Sequence, residues 1–158
     1  MKVNNLVKFS AAVIMAFSMF ACSAAPMKPK GVVNIKNVAL FGYDSVEYFV
    51  LQKETKGSGM HTLEYDGATW LFASRENKET FEANPEKYIP AFGGYDALEV
   101  AEGNLVEGDP KYWRIHNRKI YLFEDEDNLE EWFREFGTYL PAGEKEWALI
   151  QNPPKEEE

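Results

Sequence analysis

The residues with the most chemical potential lie in two short segments, Gly42-Tyr43-Asp44 and Gly93-Gly94-Tyr95-Asp96. Tyr43, Asp44, Tyr95 and Asp96 together suit a cationic or amphipathic ligand, because a ring face and a carboxylate both attract positive charge. The same carboxylates, with Asp109 as a further member, are candidate ligands for a hard divalent cation such as calcium, magnesium or manganese. Other chemistries find little material. His61 and His116 are the only histidines, too few for a typical zinc centre, and Cys22 is the only cysteine, so no disulfide can form within the chain. The run Glu124-Asp125-Glu126-Asp127 lacks the glycine and spacing of an EF-hand loop; it fits a helix start, where acids favour the positive dipole end. No nucleophile elbow, phosphate-binding loop, dinucleotide fingerprint or His-Glu-x-x-His motif is present. These absences point to a binding protein rather than an enzyme. No motif asks for an organic cofactor, and a divalent cation is the one inorganic group the carboxylates would suit.

Charge narrows the partners. The chain carries 17 Lys and Arg against 26 Asp and Glu. Lys2 and Lys8 precede position 26 while every acid follows it, so the downstream chain is more acidic than the overall −9. Such a surface repels phosphate backbones, which excludes nucleic acid, and it welcomes a cation.

The first residues read as an address. Met1 to Lys8 is basic, Phe9 to Phe20 is apolar, and Ala21, Cys22, Ser23, Ala24 and Ala25 are small, the three-part layout of a secretory signal. The apolar run falls short of the ~20 residues that span a bilayer. Met19-Phe20-Ala21-Cys22 is similar to a bacterial lipobox, which implies acylation of Cys22 and removal of residues 1–21. Ser23 in place of an aspartate after it points to an outer-membrane lipoprotein facing the periplasm. Cleavage after Ala24 or Ala25 to a soluble periplasmic protein is the alternative, with Pro26 counting against the second site. An uncleaved anchor is a third. Residues 22–35 then form a tether, residues 36–151 one folded unit with no internal repeat in evidence, and residues 152–158 a disordered acidic tail.

The elements that must position the candidate residues follow from local pattern. Asp44 with Glu47 fits a capping box opening a short helix that offers Val46, Phe49 and Val50 for burial. Thr62–Tyr65 and Ala68–Phe72 flank Asp66-Gly67, whose residue types supply the positive φ angles of a type I′ hairpin turn. Ser74 can cap a helix running to about Ala83, and Asn84-Pro85 stops it and starts another. Lys111–His116 and Lys119–Phe123 suggest a second hairpin around Asn117-Arg118, a less ideal turn. Leu129, Trp132, Phe133 and Phe136 at helical spacing predict an amphipathic helix from Asp125, ended by Gly137, and a last short helix covers about Ala142 to Ile150. With 11 Phe, 8 Tyr and 4 Trp the core needs no covalent support. The class expected is α+β, a small antiparallel sheet built from hairpins with short helices packed on it.

Ala39-Leu40-Phe41-Gly42-Tyr43-Asp44 with Val46 and Tyr48-Phe49, Lys56-Gly57-Ser58, and Tyr65-Asp66-Gly67-Ala68-Thr69-Trp70 form one set of motifs. Phe72-Ala73-Ser74, Asn84-Pro85-Glu86-Lys87-Tyr88, Pro90, Phe92-Gly93-Gly94-Tyr95, Ala101-Glu102-Gly103 and Gly108-Asp109-Pro110 continue it. In order and spacing, from about Ala39 to Phe123, they resemble the exported bacterial YHS-domain family. The resemblance implies a small domain behind a secretory or lipoprotein signal, with suspected metal association in some members and no established reaction. The family commonly has cysteine after Gly-Gly-Tyr, where this chain has Asp96. A thiolate suits copper(I) or zinc and a carboxylate does not, so a soft-metal role does not carry over. The expectation is a non-enzymatic, membrane-tethered periplasmic domain that binds a periplasmic protein or small ligand through Tyr43, Asp44, Tyr95 and Asp96. A metal-handling protein with a carboxylate site is the alternative, and a hydrolase using paired carboxylates a distant third.

Overall fold

The computed structural model of the protein describes residues 33–34 and 37–154. The signal segment, Cys22, most of the tether and the end of the acidic tail lie outside the described residues. The chain begins with two-residue strands β1 (Val33–Asn34) and β2 (Val38–Ala39), then a tight turn at Leu40–Gly42 and helix α1 (Glu47–Val50). Hairpin strands β3 (Ser58–Tyr65) and β4 (Ala68–Phe72) follow, then helices α2 (Arg75–Ala83) and α3 (Pro85–Tyr88). A second tight turn at Ala91–Gly94 leads to α4 (Ala97–Ala101), strands β5 (Asp109–His116) and β6 (Lys119–Phe123), α5 (Glu126–Arg134) and α6 (Phe136–Gln151).

The α+β class holds, but there are two sheets rather than one. The first has strand order β1-β2-β4-β3, and its β2–β4 pairing, Val38 with Thr69, is parallel. The second is the hairpin β5–β6 alone. Both hairpins turn on two residues with positive φ, Asp66 at 50° and Gly67 at 80°, Asn117 at 47° and Arg118 at 63°, as right-handed strand twist demands. Ser74 caps α2 by accepting from the Asn77 amide at 3.1 Å, and Asn84-Pro85 divides α2 from α3 as expected.

The sequence shows no repeat at first sight, yet the structure contains one. Residues from Leu40 to Tyr88 and from Phe92 to Tyr139 form two units with the same order of turn, short helix, hairpin and nine-residue helix. Each opens with three successive left-handed residues, Leu40-Phe41-Gly42 and Phe92-Gly93-Gly94. The amide of Asp44 then donates to Thr55 O, and that of Asp96 to Val106 O, both at 2.8 Å. Isolated bridges pair Tyr43 with Lys56 and Tyr95 with Glu107. Gly57 and Gly108 lie so close to the following hairpin that a Cβ would come within 2.4 Å of Leu71 and 2.6 Å of Leu122. Even the irregularities match, because β3 shifts register between Ser58 and Thr62 and β5 between Asp109 and Trp113. Scattered identities accompany this equivalence: Gly42-Tyr43-Asp44 with Gly94-Tyr95-Asp96, Glu47 with Glu99, Gly57 with Gly108, Leu71-Phe72 with Leu122-Phe123, Asn77 with Asn128, Glu79 with Glu130, and Tyr88 and Pro90-Ala91 with Tyr139 and Pro141-Ala142.

Two hydrophobic cores correspond to the two units, and β6 is the wall between them. Ile120 and Leu122 point into the first core beside Tyr48, Trp70, Phe72 and Phe81. Tyr121 and Phe123 point into the second beside Phe92, Leu129 and Trp132. A strand buried on both faces reads as a continuous apolar run, which is what Ile120-Tyr121-Leu122-Phe123 is. The far side of the second core is closed by α6, which lays Phe136, Leu140 and Trp147 against it, with Gly143 leaving room for the Phe92 ring. This packing overrides the local stop signals. The helix expected to end at Gly137 breaks at Glu135 (φ −114°, ψ 34°), and α6 runs through both Gly137 and Pro141 because its apolar face is needed there.

Candidate functional site

Asp44 and Asp96 were expected at a binding surface, and the structure corrects that placement. Both are fully buried. Asp44 Oδ1 accepts from the Val46 amide at 2.8 Å, while Oδ2 accepts from the Ala73 amide and Asn77 Nδ2, each at 2.7 Å. Asp96 Oδ1 accepts from the Leu98 and Glu99 amides at 2.7 and 3.0 Å, and Oδ2 from the Glu124 amide and Asn128 Nδ2 at 2.6 and 3.0 Å. In each unit one carboxylate therefore ties the first helix, the end of the hairpin and the long helix together. Both oxygens of each carboxyl group are satisfied by donors from the protein itself, as buried polar groups require. The capping box expected at Asp44 and Glu47 is likewise replaced. Glu47 does not reach back to the helix start; it is buried, and its Oε1 accepts from Asn77 Nδ2 at 2.5 Å.

The remaining expected residues separate. Tyr95 is half-buried with its ring 6.1 Å from that of Trp147. Asp44, Asp96 and Asp109 do not gather: among the described residues no three His, Cys, Asp or Glu side chains are grouped so as to hold a metal ion. His116 packs its ring 4.2 Å from Phe136. Asp125 caps α5 through the Asn128 amide at 2.9 Å, with Glu126 and Asp127 in the first turn, the helix-start role its sequence suggests.

Tyr43 and Asp109 do line one open groove, of about 400 Å³, between the two units. The first unit lends Phe41, Tyr43 and Lys56 to it, and the second lends Glu107, Asp109, Lys111 and Glu124. The Lys56 ammonium stands 3.7 Å from the centre of the Tyr43 ring and donates to the Phe41 carbonyl at 2.8 Å. Asp109 keeps one oxygen on the Lys111 amide at 2.9 Å. Below the groove, the buried Tyr48 hydroxyl donates to Pro110 O at 2.9 Å, crossing from one unit to the other. Burial, aided by neighbouring acids, pushes the Tyr48 phenol well above the ordinary tyrosine range. Sequence reading missed Lys56, Glu107, Lys111 and Glu124 as groove residues. The signal that could have found the first two is the Lys56-Gly57 and Glu107-Gly108 pair, visible only once the two units are aligned.

A family model described as YHS domain matches residues 46–91, which is most of the first unit and the start of the turn into the second. No curated protein and no solved structure matches the chain significantly.

Proposed function

We propose that this protein is a non-enzymatic binding module, exported and held at the periplasmic face of the outer membrane by an acylated Cys22, that takes a small cationic ligand in the groove between its two units. The groove itself supports this reading. The aromatic rings of Phe41 and Tyr43 line it from the first unit, and the three carboxylates of Glu107, Asp109 and Glu124 from the second outnumber its two lysines, Lys56 and Lys111. Cations are attracted to both kinds of surface, and the acidity of the chain beyond its leader favours the same sign of ligand. Tethering follows from the leader alone.

Titration of the isotope-labelled, detergent-solubilised full chain with choline tests the binding site. Saturable NMR shifts at Phe41, Tyr43, Lys56 and Glu107 to Lys111 are expected, with none from acetate. Shifts confined elsewhere, or none, would reject the groove. Mass spectrometry of the mature N-terminus from the native host tests the anchor: an acylated Cys22 is expected, and an unmodified peptide starting at Ala25 or Pro26 would end that claim.

A further inference from the structure

The groove is not empty of cations, because the protein supplies two, Lys56 and Lys111, and one of them is seated on an aromatic ring. Lys56 is exposed, yet its ammonium is held over the Tyr43 ring at 3.7 Å and on the Phe41 carbonyl at 2.8 Å. Ring face plus carbonyl is how a protein recognises a primary ammonium: the ring attracts the charge and the carbonyl takes one N–H. The contact is not imposed by the shared scaffold. The corresponding bridge in the second unit puts Glu107 opposite Tyr95, and that ring turns to Trp147 instead. The backbone that presents the Phe41 carbonyl is itself held in an unfavourable left-handed conformation at Leu40 and Phe41, with φ of 49° and 51°. Across the groove Glu107 and Glu124 are exposed carboxylates, and the Lys56 ammonium donates to the Phe41 carbonyl rather than to either of them.

We infer that Lys56 is a built-in occupant of the groove, and that the ligand bears a primary ammonium which displaces it from the Tyr43 ring and the Phe41 carbonyl while the second unit's carboxylates hold the remaining positive charge. This rests on the groove being the binding site. Displacement is feasible because an exposed lysine on a flexible four-carbon stem gives up only a weak contact when it swings into water. Its consequence runs against intuition for a lysine in a binding site, since removing Lys56 should improve binding.

The test uses 1,5-diaminopentane, a chemical copy of the lysine side-chain end, titrated into the full chain and into Lys56→Ala and Lys111→Ala while the Tyr43 ring and Phe41 amide resonances are followed, with choline in parallel. Displacement predicts that Lys56→Ala binds the diamine roughly three- to tenfold more tightly than the parent chain. Lys111→Ala, which removes the same charge from the groove but no ring contact, should gain clearly less. Choline, which has no N–H for the Phe41 carbonyl, should bind more weakly than the diamine to Lys56→Ala. Equal gains in the two variants would reduce the effect to simple electrostatics and overturn displacement. Weaker diamine binding by Lys56→Ala would overturn it too, making Lys56 part of the receptor. In both cases groove shifts would persist and the groove reading would stand. Absence of groove shifts with either cation would remove both.

Discussion

The two units share a scaffold and differ in what is attached to it, and the difference separates what the fold needs from what is particular to this protein. Each unit has a left-handed turn, a buried aspartate with an asparagine partner, a glycine pressed against the hairpin and a capped nine-residue helix. The divergent positions lie at the edges. Glu47 turns inward to share Asn77 with Asp44, whereas its counterpart Glu99 accepts from Asn104 Nδ2 at 2.9 Å. Lys56 is replaced by Glu107, so at this one bridge position the groove receives a base from one unit and an acid from the other. Thr69 and Leu71 on β4 are only half-buried, whereas the matching Ile120 and Leu122 on β6 are buried in the first core. The second unit thus closes the first, and α6 closes the second where a third unit would otherwise begin. Tandem architectures need such modified ends, because a repeated apolar face left open at the terminus would seek another chain.

The comparison breaks most visibly at the two aspartates. Asp44→Ala strands three donors and Asp96→Ala four, all of them in buried or part-buried hydrogen bonds. Each variant is expected to lose about 3–5 kcal/mol, since a buried donor without its acceptor bears its full desolvation cost. Urea denaturation measures this. Losses within ~1 kcal/mol of each other would support equivalent roles, by the additive logic of similar donor sets. A negligible loss at either position would mean that the carboxylate is not the tie between helix and hairpin.

Why these roles were hidden in the sequence is a matter of range. Turns, caps and hairpins are decided by neighbours, so Asp66-Gly67, Ser74 and Asn84-Pro85 were legible residue by residue. Asp44 and Asp96 looked like surface ligands because their partners, Ala73 with Asn77 and Glu124 with Asn128, are far along the chain. The groove was hidden for the same reason, with only Tyr43 and Asp109 anticipated. The repeat escaped because its identities, such as the two Gly-Tyr-Asp segments, are short and scattered, while between them positions match only in conformation and partner geometry, as Phe81 does Trp132 and Ser74 Asp125. Helix α6 misled because Gly137 and Pro141 are local stop signals that a core-facing stripe overrules.

The two hairpin turns sharpen the comparison from the other direction. They share a conformation but not its cost, because Gly67 takes φ 80° freely while Arg118 must hold 63° with a Cβ. Gly67→Val should cost roughly 1–2 kcal/mol, and Arg118→Gly should gain about 0.5–1 kcal/mol as left-handed strain is relieved, less the added freedom of the unfolded chain. Denaturant midpoints read both. Unchanged stability in Gly67→Val would remove the assumption that φ limits this turn.

Tyr48 marks a position where the units differ in kind, since the matching residue on α4 is Val100. Its hydroxyl bond to Pro110 O joins the units, so Tyr48→Phe should lose about 1 kcal/mol at neutral pH. The pH dependence has a definite sign. Burial raises the folded phenol above its ordinary value of 10.0. The native state keeps a proton that the unfolded state releases above that value, so this contribution is complete below pH 10 and declines as the pH rises beyond it. Tyr121, also raised by burial, adds to the decline. Stability measured between pH 9 and 11 should therefore fall less steeply in Tyr48→Phe than in the parent chain, and parallel curves would show that the phenol is not held neutral by the fold.

The smallest effect is expected where the units use different residues for one purpose. Ser74 accepts from the Asn77 amide at 3.1 Å and Asp125 from the Asn128 amide at 2.9 Å, each in an extended conformation one residue before its helix. Ser and Asp rank nearly equal as N-caps, whereas alanine loses the acceptor and costs ~1 kcal/mol. Exchanging them, Ser74→Asp with Asp125→Ser, should change stability by less than ~0.5 kcal/mol, while either alanine variant should show the full cap loss. The residual difference has a direction as well. Asp125 precedes Glu126 and Asp127 in an already acidic first turn, so Asp125→Ser relieves like-charge crowding there, whereas Ser74→Asp adds a charge beside Glu76 alone and gains from the helix dipole. Thermal melts of the exchanged protein at low and high salt resolve this. A loss as large as that of the alanine variants would show that the two caps are tuned to their own units and are not one device used twice.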